Sequence, residues 1–520
     1  MVESLIILTV SIVGILLILF FQRKLQFTFS DHYFHVGMVR AIQANRHRFV
    51  AEHPNFLVEK NFAYPQLYHW ILSFLPEKAY VKRHYLINLT TSLLSFATAE
   101  LLLWFLFRDM FERPVLEIPL CGLLLATTPI FYLPWNARNM GLSPRSLGVL
   151  LGQAFTLLVL YNLFHFDWLI TGLILLIAIL SVLSSQFTTQ YIVFSSLLIS
   201  VFFLHIWPLA VLFLSFFIPW IFMPSVMNKY FRGQLWHKYI FSKYLSREYV
   251  LAARYSIWRD FAGDIFRQFK RNKKAAIIYT YTNPFLLLVW AIPLFFPVLV
   301  ISFLHPHSDT VNGKLLLFNS LGLLLFVVFS FRKTRFLGEP ERYVEFFVPT
   351  ILLQFFLMHP RMETLVVIGI VLYSLFCLAI LFWIQYRSGS KTTAQRQKAF
   401  DRLFEVSLND MQNGSRLLSN SWHVMRRFYG TDIKTFTPCF TGMKTGEIAL
   451  TDIFKESFIY MDATCIDPIT ATYTIDFCIV DTEVVGGAEW QRRMEDGIGT
   501  RLAQVDQFTM YKINSNHGNG

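Results

Sequence analysis

Asp31 and His35 stand four residues apart, so a helix beginning at Ser30 or Asp31 would carry both on one face, one turn from each other. A carboxylate so placed can accept the proton of an attacking hydroxyl. The alternative is a structural one, since Ser and Asp both cap helices by accepting from backbone N–H groups. His32, His35 and His69 are candidate polar contacts for a substrate in the same stretch, residues 29–70. Their spacing matches neither HExxH nor another strong metal pattern, so no metal is assigned. Tyr64-Pro65-Gln66-Leu67-Tyr68-His69 closes the stretch, with the proline placed to start a helix.

A second constellation is FRKTRFLGEPERY, residues 331–343, where Arg332, Lys333, Arg335 and Arg342 surround Gly338, Glu339, Pro340 and Glu341 and Tyr343 follows. Guanidinium groups pair with phosphate oxygens through two parallel hydrogen bonds, so such a cluster suits a lipid phosphate. A basic collar flanking a membrane is the plain alternative, but it would gain nothing from Glu339 and Glu341. Arg138 and Arg145 fall in a connection expected on the same membrane side and can add to that site. Gln186 and Gln190 read as polar glue between helices.

The elements that must hold these residues are membrane helices. Hydrophobic residues make up 54% of the 520, only 15% are charged, and 54 are phenylalanine, a composition whose apolar surface a soluble enzyme could not cover. About eleven apolar runs are expected to span, given that roughly 20 residues cross the hydrocarbon core. They cover residues 5–21, 86–107, 115–133, 147–164, 168–183, 191–206, 208–222, 284–304, 315–331, 346–358 and 365–384. The first lacks a basic n-region and a small-residue cleavage pattern, so it reads as an uncleaved span. The run 346–358, short and holding Pro349 and Gln354, is the weakest.

Residues 1–386 therefore read as a transmembrane catalytic module, with a first loop over 22–85 and a basic, aromatic loop over 223–283 that repeats apolar residues near helical spacing at Trp236, Ile240 and Tyr244. Residues 387–520 read as a linker and a small soluble α/β domain. Strands are predicted at 416–419, 433–440 and 475–480, and helices at 422–429 and 447–455. That domain has no GxGxxG or P-loop, so nucleotide binding is not assigned. The net charge of +12 sits mostly in loops between spans, which points to the membrane surface and phosphorylated lipids, not nucleic acid. The five cysteines show no metal spacing; Cys439, Cys465 and Cys478 leave room for one disulfide.

The order of these features resembles the GT-C class of membrane glycosyltransferases, the superfamily that includes protein mannosyltransferases and aminoarabinose transferases. The resemblance rests on the D-x-x-x-H of Asp31 to His35, the YP-x-L-x-H of Tyr64 to His69, the GEPERY of Gly338 to Tyr343, and a small C-terminal α/β domain, in that order. It implies transfer of a sugar from a polyprenyl-phosphate donor to a glycan, lipid or protein hydroxyl, with inversion and without a cofactor. Asp31 would be the base. His32, His35, Tyr64, His69, Arg138, Arg332, Arg335, Glu339, Glu341, Arg342 and Tyr343 would contact substrates. The chain departs from the family's subgroups in two places. No Trp-Trp pair exists, which argues against en bloc glycan transfer to asparagine, and His32 follows Asp31 where protein O-mannosyltransferases carry Asp-Glu.

The family topology puts the protein in the plasma (inner) membrane, with the active loops and C-terminal domain extracytoplasmic. The positive-inside tendency disagrees, because the loops opposite hold only Arg108, Arg113, Lys314 and Arg361. A phosphate-binding role accounts for basic residues on the outer side. Two rivals stand beside this reading: a transporter or lipid flippase, and an inactive GT-C-like scaffold. A transporter is expected to place ionisable residues deep in its spans, whereas here only Glu100 and Glu117 interrupt them.

Overall fold

A computed structural model describes residues 12–20, 30–50, 55–57, 64–133, 141–240, 283–304, 310–331, 337–358, 364–388, 391–436 and 460–514, with a few single residues between. At some positions, Ser30 and Asp31 among them, the backbone alone is described. Arg138, Arg332, Arg335, Cys439 and most of the predicted helix 447–455 lie outside these residues.

Apolar helices make up the body of the molecule. Among the described residues five are long and apolar enough to cross a membrane: His84–Met110, Pro114–Tyr132, Arg145–Phe164, Val311–Ser330 and Val366–Trp383. A sixth crossing follows if Pro284–Ala291 and Phe295–Leu304, bent by 80° at Pro293, form one broken span. Trp168–Ser184, Gln186–Phe202 and Trp207–Phe222 are shorter apolar helices, near the lower limit for a full crossing. Among the described residues the expected count of eleven is therefore not reached by length and composition. The run expected over 346–358 becomes a short 3₁₀ turn and the helix Val348–Met358, buried on nearly every side.

Local signals set several of these boundaries. Asp167 caps Trp168–Ser184 by accepting from Leu169 N at 2.6 Å. Asn283 caps Pro284–Ala291 in the same way, accepting from Phe285 N and Leu286 N at 3.0 and 3.2 Å, with Pro284 pre-set for the first turn.

The C-terminal sheet has the order β2-β1-β3-β5-β4. Its strands are β1 Arg416–Ser419, β2 Lys434–Thr435, β3 Phe477–Asp481, β4 Gly499–Val505 and β5 Phe508–Ile513. β2, β1 and β3 run parallel, while β5 and β4 form an antiparallel hairpin on the β3 side. Every residue of β3 is buried, as a strand covered on both faces requires. The basic linker is a regular helix, Lys391–Asp410, packed on β4 and β5.

The first loop is built into this sheet. Thr435 N donates to Asn55 O at 2.7 Å and Leu57 N to Thr435 O at 3.0 Å, so Phe56 extends the β2 edge in parallel. The helix Ser30–Ala44 presents Phe34, Met38, Ala41 and Ile42 to Leu418, Met425 and Tyr429 of the C-terminal part. Its other side, Val36 and Val39, packs on Tyr68, Leu72, Tyr80 and Leu142. A helix apolar on two faces is one clamped between two partners.

Candidate active site at one end of the helix bundle

Asp31 lies in the first turn of Ser30–Ala44, and His35 one turn further along. His32, the next residue along, accepts from Leu142 N at 3.0 Å. That bond ties the acid's helix to the segment leading into Arg145. His35 and His69 share a buried hydrogen bond, 2.9 Å between Nδ1 and Nε2. The Tyr64 ring stands 5.6 Å from His35 and 5.9 Å from His69.

All three histidines are in the protein interior, at 1%, 4% and 0% exposure. Burial pushes His32 and His35 down to about 3 and His69 well below its ordinary value. The uncharged form is favoured, and the bonds of His32 to Leu142 and of His35 to His69 help to shape the loop. The sequence signal for this was the apolar surroundings of each histidine, Tyr33-Phe34 and Tyr68-Trp70.

Arg145 opens the helix Arg145–Phe164 and is buried. Its guanidinium sits 5.1 Å from the centre of the Phe187 ring, and that of Arg342 sits 5.7 Å from the same ring. Glu345, Glu341 and Tyr64 are the groups whose charges act on Arg145. Even so, its Nε and Nη2 have no hydrogen-bond partner among the described residues. A buried guanidinium with unused N–H groups is costly unless another acceptor arrives. Arg342 pairs with Glu339, both mostly buried.

Gly338 makes this packing possible. Its φ is +112°, a conformation that favours glycine, and a Cβ there would lie 2.8 Å from the Phe187 ring. Tyr343 is fully buried and donates to Leu337 O at 2.8 Å. In the amide orientation that satisfies every neighbour, Gln190 donates to Leu337 O at 2.8 Å and to Tyr343 Oη at 3.2 Å, and accepts from Lys238 Nζ at 2.5 Å. Gln190 thus is the polar glue its sequence position suggested, with a lysine attached.

Of the expected site residues, Arg342 and Tyr343 meet Phe187, Glu339 pairs with Arg342, and Glu341 and Tyr64 are near enough for their charges to act on Arg145. Phe187 and Lys238 went unnoticed in the sequence because a single aromatic or lysine beside a span carries no pattern. No group of three or more His, Cys, Asp or Glu able to hold a metal occurs among the described residues. Cys465 and Cys478 are both buried.

No protein-family model and no curated relative matches the sequence. Solved structures do. The oligosaccharyltransferase of Archaeoglobus fulgidus in its apo form superposes with a TM-score of 0.54 at 12% identity, covering 98% of this chain and 74% of that one. The same enzyme with Zn and sulfate gives 0.53 at 11%, covering 96% and 72%. The archaeal oligosaccharyltransferase AglB from that organism, with an inhibitory peptide and a dolichol-phosphate, gives 0.51 at 10%, covering 98% and 74%. At these identities the likeness is one of fold alone: the chain folds as these oligosaccharyltransferase structures do.

Proposed function

We propose that this chain is an integral-membrane glycosyltransferase that takes a sugar from a polyprenyl-phosphate donor and places it on a hydroxyl acceptor with inversion. One observation carries the reading. Arg145 and Arg342 share one aromatic ring at the end of the bundle where the His32–Leu142 hydrogen bond anchors the helix of Asp31. Acid and guanidinium groups on one membrane face are what transfer from a lipid phosphate needs. The GT-C fold, found also in an enzyme solved with a dolichol-phosphate, supports the same donor class.

In this reading the acceptor oxygen forms a bond to the anomeric carbon as the bond from that carbon to the phosphate oxygen breaks. The acceptor proton passes to the Asp31 carboxylate. The departing polyprenyl phosphate gains negative charge, which Arg145 and Arg342 stabilise without donating a proton. Glu339 and Glu341 hold the guanidiniums in place, and the three buried histidines fix the first loop. Arg138, Arg332 and Arg335 remain proposed as further phosphate contacts. The acceptor is a glycan, lipid or protein hydroxyl.

The membrane topology follows the same contacts. The residues 141–145, Phe187, Lys238 and 337–343 meet at one end, and the first loop shares a core with the C-terminal sheet. All are then on one side, which calls for an even number of crossings between Ala44 and Lys391. Five do not satisfy it; six do, and so do ten, which with the run 5–21 make the eleven proposed. The domain division at residue 386 and an extracytoplasmic face of the plasma (inner) membrane complete the proposal.

Mass spectrometry of envelope glycans, lipids and proteins in a strain lacking the gene tests this reading. A missing hexose or pentose on one class, restored by the wild-type gene and not by an Asp31→Asn gene, is the expected result. An unchanged glycan profile would overturn it.

A further inference from the structure

Asp31 sits in the first turn of Ser30–Ala44, and a first turn is where a helix opens most readily, because its leading N–H groups have no partner within the helix. Contacts from outside must hold it. One is the bond from Leu142 N to His32, which comes from the bundle. The other comes from the C-terminal part. A Cβ at Gly37 would lie 2.3 Å from Tyr429 O, and one at Gly430 would lie 2.9 Å from Arg40 Nη1, so the two backbones meet closely along the middle of the helix. Residues 430 to 427 then lead back toward its start, where Arg427 meets Tyr33.

The Arg427 guanidinium lies 3.9 Å from the centre of the Tyr33 ring and 4.5 Å from that of Phe404. Asp401 pairs with it at 3.5 Å. Asp401 and Phe404 are one turn apart on Lys391–Asp410, the next helix after the last span. The charge of Arg427 also acts on His32. One side chain thus joins the helix of the acid, the linker helix and Trp422–Arg427, the helix that it ends. Two rings against one planar guanidinium make a contact that a lysine ammonium serves less well.

Resting on the role proposed above for Asp31, we propose that Arg427 is a positioning residue: through Tyr33 it keeps the first turn of Ser30–Ala44 wound, and so fixes where the Asp31 carboxylate meets the acceptor hydroxyl. The C-terminal domain then serves the transfer step without touching either substrate. Misplacing a reacting group by about 1 Å costs on the order of a hundredfold in rate, so a single contact at Tyr33 can govern kcat. Gly37 and Arg40 hold the rest of the helix whether or not Arg427 is present.

Two measurements on the full chain in nanodiscs test this. The first is release of polyprenyl phosphate from polyprenyl-phosphate sugars, with envelope extract supplying the acceptor. Arg427→Ala should lower kcat about tenfold or more and leave the donor KM within about twofold of wild type. Tyr33→Leu should do the same, the double variant should lose no more than either single one, and Tyr33→Phe, which keeps the ring, should stay near wild type. The second is hydrogen exchange read by mass spectrometry. Arg427→Ala should speed exchange at the Phe34 and His35 amides, the first to bond within the helix, and leave residues 38–44 as in wild type. The positioning role is overturned if kcat holds, if the donor KM rises as far as kcat falls, if the two losses multiply in the double variant, or if exchange quickens over 38–44 as well. If wild type releases no polyprenyl phosphate from any donor, the function reading fails by itself. Faster exchange confined to residues 34 and 35 then still upholds the grip on the first turn, and unchanged exchange there overturns it.

Discussion

Arg145 is the residue whose environment says most about the chemistry, because it is a buried cation whose Nε and Nη2 find no hydrogen-bond partner among the described residues. Replacing it, or Arg342, with alanine is expected to raise the donor KM more than it lowers kcat, by about tenfold or more in kcat/KM. Gly338→Ala should mimic that loss, since the new Cβ would push on Phe187 at a φ of +112°; steady-state kinetics on the three variants checks both. The histidines give a pH prediction. His32 and His35 titrate near 3 in the folded chain and near 6.5 when unfolded, so the unfolded state takes up more protons between those values. Stability is then full above about pH 6.5 and falls as pH drops, by about 1.4 kcal/mol per unit for each histidine. Thermal melts from pH 8 to 5 should show this slope, reduced in a His35→Phe variant that melts normally at pH 8. The GEPERY arginine was legible in the sequence. Phe187 was not, because the stacking of two distant guanidiniums on one ring exists only after three loops converge.

Among the elements, β1 coincides with the strand expected at 416–419, and the helix expected at 422–429 appears as Trp422–Arg427 followed by the 3₁₀ turn Phe428–Gly430. These were readable because a short apolar run and a closing glycine mark them locally. The β4–β5 hairpin was not foreseen. Its turn, Asp506-Gln507, has no glycine and uses Asp506 at φ +51°, which hides the usual turn signature. The linker helix Lys391–Asp410 was masked in the same way by its charges. The clamping of Ser30–Ala44 by two partners depends on Gly37, where a Cβ would lie 2.3 Å from Tyr429 O. Gly37→Ala is expected to destabilise the docked first loop by about 1–3 kcal/mol and to speed protease cleavage of the C-terminal domain, with melting temperature as the second measure.

At the scale of the whole molecule, a core shared by the first loop and the C-terminal sheet means that both face the same compartment. Single cysteines at Arg48 and Lys398, in a Cys439→Ser background, should therefore react alike with an impermeant reagent in intact cells. Labelling of one with protection of the other would break the shared core, and protection of both would put the site inside the cytoplasm. Composition already announced a membrane protein, but the bend at Pro293 and the short buried Val348–Met358 are tertiary features that hydropathy alone cannot order. The most direct test of the central claim is a purified, reconstituted enzyme assay. It follows release of polyprenyl phosphate from a panel of polyprenyl-phosphate sugars in the presence of envelope extract. Wild type should release it from at least one donor, and Asp31→Asn, folded and still binding that donor, should be about a hundredfold slower or worse. Equal release by Asp31→Asn, or movement of the intact lipid across the bilayer with no release, would contradict the account.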